Sequence, residues 1–125
     1  MKSKASPSFT TPAIKIACWN INGIMSKEQN KINDEYFLNL INDKDVIFLT
    51  ETKCLPTEQI HIPNFYCFQL NRTSLKTAKT SSGGIAFLCK QNLKKGISIL
   101  PLTNEDYFWV KLNKSFFKMK EDLYI

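Results

Sequence analysis

A chain of 125 residues has room for one domain and not two. Hydrophobic residues make up 43% and charged residues 22%, ordinary globular usage that excludes a disordered chain or a coiled coil. The net charge of +6 favours an anionic partner, though charge of this size also serves simply to keep a soluble domain apart from its copies.

Residues 1–12 are polar and read as a flexible leader, with the domain proper spanning 13–125. Pro12 and Lys15 interrupt the apolar stretch that follows. A secretory signal needs an unbroken apolar core of about seven residues, and none is present. No run approaches the roughly 18 apolar residues of a membrane span. The expectation is an intracellular chain with no membrane partner. Cys18, Cys54, Cys67 and Cys89 show no C-x-x-C spacing, and three of them lie in apolar runs. They read as small hydrophobes in a reducing compartment, without disulfides.

Residues 14–21 form a short apolar run of buried-strand type, ending at Asn22-Gly23. Residues 27–42 are predicted helical, because Ile32, Tyr36, Phe37, Leu40 and Ile41 fall on one helical face. Residues 46–49 are a second short strand. Strand, helix and strand in about 35 residues make a βαβ unit, so the two strands are expected to be parallel. Beyond it the pattern turns antiparallel, with strands expected at 65–70, 84–90, 97–102, 107–112 and 123–125. Residues 113–115 are read as a hairpin turn, with Phe116-Phe117 opening the return strand; Phe116, Phe117, Lys118 and Lys120 read as a strand with solvated lysines, the alternative being a nucleic-acid contact. Between 71 and 83 runs a polar, basic loop carrying Arg72, Lys76 and Lys79.

Asn20 and Asn22 lie at the carboxyl end of the first strand and Glu51 at the carboxyl end of the second. Ligand sites in open α/β sheets form beyond the carboxyl ends of the strands. A carboxylate beside carboxamides suits a hard cation, which takes oxygen ligands and keeps several waters. The plainer alternative makes the Asn residues turn caps and Glu51 the start of a loop. His61, the single histidine, has no orienting partner in the sequence and reads as incidental. Cys54 reads as a buried, inert thiol.

Three stretches taken in order resemble the endonuclease/exonuclease/phosphatase superfamily. They are Lys15-Ile16-Ala17-Cys18-Trp19-Asn20-Ile21-Asn22-Gly23, Asp45-Val46-Ile47-Phe48-Leu49-Thr50-Glu51-Thr52-Lys53 and Ser82-Gly83-Gly84-Ile85-Ala86-Phe87-Leu88. The Asn-Ile-Asn-Gly form and the Ser-Gly-Gly-Ile-Ala run are most similar to the endonuclease domain of non-LTR retrotransposons, with AP endonucleases next. The resemblance implies an α/β chain equivalent to the N-terminal half of a four-layer α/β sandwich that cleaves DNA phosphodiesters with Mg²⁺. It implies that Glu51 binds the metal, that Asn20 helps order the metal and phosphate site, and that Asn22 lies beside the metal where AP endonucleases carry an aspartate. The basic loop would contact DNA phosphates through Arg72, Lys76 and Lys79. The family's later tyrosine, Asp-x-Asn and Ser-Asp-His segments have no counterpart in these residues. The 125 residues alone are therefore expected to hold Mg²⁺ weakly or not at all and to be inactive, with an apolar sheet face left open around Trp19, Phe48 and Phe87. Other readings are a non-catalytic nucleic-acid-binding remnant and a phosphoesterase of the same fold acting on a small phosphate ester. A full-length relative would carry a downstream reverse transcriptase domain and act in the nucleus on genomic DNA.

Overall fold

The computed structural model describes residues 13–25, 30–55, 57–71, 83–101 and 107–125. In chain order these hold β1 (Ile16–Asn20), a 3-10 turn (Lys31–Asn33), α1 (Glu35–Asn42), β2 (Val46–Thr50), β3 (Phe65–Leu70) and β4 (Ile85–Lys90). A second 3-10 turn (Gln91–Gly96), β5 (Ile97–Ile99), β6 (Val110–Leu112), α2 (Lys114–Phe117) and β7 (Leu123–Tyr124) follow. The residues read as a leader, and the basic loop with Arg72, Lys76 and Lys79, lie outside the described residues.

β1 and β2 pair in parallel, as the βαβ reading requires. β4 lies antiparallel to both β2 and β3, giving a sheet of order β1-β2-β4-β3. β5, β6 and β7 form a separate antiparallel sheet in that order. The chain is thus mixed α/β, with a βαβ unit followed by antiparallel strands.

Each face of the larger sheet has its own core. On one face Ile47, Leu49, Ala86, Leu88 and Phe65 pack against Phe37 and Ile41 of α1 and against Cys54, Ile60 and Ile62 of the segment between β2 and β3. On the other, Val46, Phe87 and Cys89 pack against Ile97, Val110 and Leu112 of the second sheet and against Phe117. β2 and β4 are central and covered on both sides, which is why they read as continuous apolar runs rather than alternating ones. The face expected to be open is therefore covered across β2 and β4. Among the described residues it is barest toward β1, where Ile16 is 41% exposed and Cys18 is exposed.

Trp19 does not share the face of Phe48 and Phe87. Side chains alternate along a strand, and Trp19 falls on the α1 side, its ring centroid 5.5 Å from that of Phe37 at a tilt of 41°, and is 37% exposed. The predicted helix is also shorter than 27–42. Asn30 accepts from Ile32 N at 3.0 Å and Asp34 accepts from Tyr36 N at 2.9 Å, so each carboxamide or carboxylate starts a new turn. Only Phe37 and Ile41 of α1 are buried, and Tyr36 is 72% exposed.

Two expectations near the end of the sequence are overturned. The expected turn at 113–115 and return strand at Phe116-Phe117 are instead α2. Asn113 caps it, its side-chain oxygen accepting from Ser115 N at 2.9 Å and Phe116 N at 3.0 Å. Phe116 then packs onto Gly96, where any Cβ would collide with its ring. The strand expected over 107–112 begins at Val110, and the return strand is β7. The described residues contain no helix long and apolar enough to cross a membrane.

Candidate functional site

The three motif segments meet at one end of the larger sheet. Past the last residues of β1 and β2, the parallel pairing continues as a short backbone ladder. Ile21 N donates to Thr50 O at 3.0 Å, Gly23 N to Glu51 O at 2.8 Å and Ile24 N to Thr52 O at 3.0 Å. On the other side of this strip, Thr52 N donates to Gly84 O at 3.2 Å and Lys53 N to Gly83 O at 2.8 Å. The segment 51–53 is therefore stitched between the Asn-Ile-Asn-Gly loop and the Gly-Gly pair.

This stitching bends the chain into unusual conformations. Asn22, Glu51 and Lys53 adopt left-handed φ values of 50°, 54° and 56°. For residues with a Cβ this costs roughly 1 kcal/mol each and persists where surrounding bonds enforce it. Gly84, at φ 94°, is needed twice over: a Cβ there would also strike the buried Thr52 hydroxyl.

Asn20, Asn22 and Glu51 thus sit on adjacent backbone at the carboxyl ends of the parallel pair, where the spacing predicted them. Asn20 closes a local turn, its Oδ1 accepting from Asn22 N at 3.2 Å. Asn22 Oδ1 accepts from Lys53 Nζ at 2.7 Å. Lys53 was not singled out in the sequence reading, although it lies inside the second motif. Lys31 was missed as well. Its ammonium donates to Ile21 O at 3.1 Å and Gly23 O at 2.7 Å, a contact that spacing along the chain does not signal.

The donors suit a hard cation only in part. The Glu51 carboxylate and the second lone pair of Asn20 Oδ1 are oxygen donors of the right kind. The Asn22 oxygen is engaged by an ammonium. Among the described residues no group of three or more His, Cys, Asp or Glu side chains gathers around one point. Such a donor set would suit only a largely hydrated ion.

Behind the site the segment between β2 and β3 is pinned by amides. Gln69 accepts from Ile60 N at 2.6 Å and donates to Glu58 O at 2.8 Å, while Asn71 donates to Leu55 O at 3.0 Å. Cys54 is buried in this segment, and desolvation, aided by the nearby Glu58 charge, raises its pKa to about 11. It is buried, as the sequence suggested, and the raised pKa disfavours the reactive thiolate. His61 is exposed.

With this geometry in place, comparison with known proteins identifies the class. The sequence pattern of the endonuclease/exonuclease/phosphatase family matches residues 17–125, and the chain belongs to that family. Among curated proteins none matches the chain. One similar solved structure is a 3′ phosphatase, NExo, from Neisseria, bound to a product DNA hairpin. It is 16% identical with a TM-score of 0.45, over 80% of this chain and 37% of that one. The chain thus spans little more than a third of that protein's length.

Proposed function

We propose that these residues form the cation-binding part of a Mg²⁺-dependent endonuclease of the retroelement type, acting on DNA phosphodiesters. Family membership supports phosphoester chemistry in general. The observation that carries the finer reading is the hydrogen-bonded strip that gathers Asn20, Asn22, Glu51 and Lys53 at the rim of the parallel pair.

In this reading Glu51 holds the ion through its carboxylate and Asn20 orients its waters or a phosphate oxygen. When bound, Mg²⁺ polarises a phosphoryl oxygen and stabilises the leaving oxygen. Lys53, exposed and beside Asn22, adds positive charge for a phosphate and steadies the Asn22 side chain. Arg72, Lys76 and Lys79 contribute sequence-blind, salt-sensitive contacts to the DNA backbone. General acid–base groups come from the family's Asp-x-Asn and Ser-Asp-His segments, and each is typically worth about 10²–10⁴-fold in rate.

The test compares two proteins on supercoiled plasmid. The 125-residue chain alone is expected not to nick, and to show no low-micromolar Mg²⁺ saturation by calorimetry. The same residues joined to the downstream segments of a family member are expected to nick with Mg²⁺, and Glu51→Gln to lower that rate by about 100-fold or more. Full activity of the Glu51→Gln fusion would refute the assignment.

A further inference from the structure

Lys31 begins the first 3-10 turn, on the opposite side of the Asn-Ile-Asn-Gly loop from β2. Its ammonium donates to two carbonyls of that loop, Ile21 O at 3.1 Å and Gly23 O at 2.7 Å. Its backbone N–H donates to a third, Ile24 O at 3.0 Å. The N–H groups of the same three residues point the other way, to Thr50, Glu51 and Thr52. The loop is therefore strung between Lys31 and the end of β2, with every clamped carbonyl balanced by a clamped amide.

Asn22 is the residue between the two carbonyls that share the ammonium. Its left-handed φ of 50° turns its side chain to Lys53, and Asn20 closes on its N–H. We propose that Lys31 is a positioning residue: a fixed internal cation that holds the Asn20–Asn22 loop in the one conformation that presents its carboxamides beside Glu51. This rests on the reading of Asn20 and Glu51 as a cation site, and its test is built to fail separately. A lysine suits the task because one compact ammonium with three donors can bridge two carbonyls of a tight loop. Removing it leaves two part-buried acceptors without a donor, and the loop loses its reason to hold a strained residue.

The experiment uses the isotope-labelled 125-residue chain as wild type, Lys31→Met and Lys31→Arg. Methionine keeps the length of the stem without the charge. Amide hydrogen exchange at Gly23 and Ile24 is expected to quicken by about tenfold in Lys31→Met, the effect of one lost hydrogen bond, while Phe87 in β4 is unchanged. The Mn²⁺ concentration that broadens the Asn20 and Glu51 amide signals is expected to rise by about threefold or more, and Lys31→Arg to restore much of both effects. Unchanged exchange would overturn the proposal. So would faster exchange with an unchanged Mn²⁺ midpoint, since Lys31 would then be a staple of the loop alone. Absence of broadening in the wild type would sink the cation-site reading and, with it, this role for Lys31 whatever the exchange shows, whereas broadening with unchanged exchange would sink the role of Lys31 alone. If Lys31→Met does not fold, competitive acetylation of the wild type decides instead. Lys31 is expected to react about tenfold more slowly than the exposed Lys95 and Lys120, and equal rates would overturn the strap.

Discussion

β1 and β4 are both short, apolar strands of the same sheet, yet they live in different solvents. β4 has a strand on each side and a packed layer on each face, so Ala86, Phe87, Leu88 and Cys89 are all sealed from water. Among the described residues β1 has a neighbouring strand on one side only, and its face toward the second sheet leaves Ile16 and Cys18 exposed. The strand that carries the candidate site is thus the less buried of the two. Fold stability is concentrated in β2 and β4, and the site sits at the rim, where groups must be reachable by an ion and a phosphate. Substitutions should separate the two roles: changes in β4 act on folding, and changes at the end of β1 act on the site.

The largest difference is expected in thiol chemistry. Burial raises Cys89 to about 11 and Cys67 to about 12, so they remain thiols through pH 8 and ionise only as the pH approaches those values. For Cys89 this cuts the reactive thiolate roughly 100-fold relative to an ordinary cysteine, before access is considered. Cys18 lies exposed on β1. Native alkylation at pH 8 followed by mass spectrometry should therefore label Cys18 first and Cys54, Cys67 and Cys89 only after urea is added. Simultaneous labelling of all four would break the comparison.

Next in size are core truncations. Phe87→Ala removes a fully buried ring, and a loss of about 3–5 kcal/mol is expected in a urea melt. Ile16→Ala, with 41% of that residue already exposed, should cost about 1 kcal/mol. Similar losses at the two positions would show that the second sheet protects β1 as well.

The paired glycines sharpen the contrast at the site itself. Gly84→Ala meets both a left-handed φ and the Thr52 hydroxyl, and is expected to cost about 2 kcal/mol or more. Gly23→Ala carries only the φ term, because the space around it is open apart from an ordinary contact with the Lys53 stem, and should cost about 1–2 kcal/mol. Thermal melts of the two variants, compared in one buffer, give the ordering.

The smallest effect is expected far from the site. Asn113→Ala removes the cap of α2 and should cost about 1 kcal/mol without altering Mn²⁺ broadening at Glu51. A change in that broadening would mean the second sheet and the rim are coupled.

How far these features could be read in advance depended on the distance over which their causes act. The strands showed in the sequence because β2, β3 and β4 are dense apolar runs, and solvent exclusion leaves that mark residue by residue. The parallel pairing of β1 and β2 followed from the helical pattern between them, since a short crossover permits little else. Asn20 and Glu51 could be placed together because both end strands of that unit. α2 was misread because Phe116-Phe117 is apolar enough for a strand, and only the Asn113 cap and the Gly96 hollow decide for a helix. The side of the sheet that receives Trp19 depended on register, which a shift of one residue reverses.

Local composition by itself marked the strands β1 to β4, the parallel pairing of β1 and β2, and the residues at the ends of that pair. The tertiary structure alone decided which groups those residues meet. Lys31 reaches the carbonyls of Ile21 and Gly23 from ten and eight positions along the chain, and Lys53 reaches Asn22 from thirty-one. A hydrogen bond acts over about 3 Å of space and takes no account of separation in sequence, so these contacts leave no periodic trace for the sequence to show.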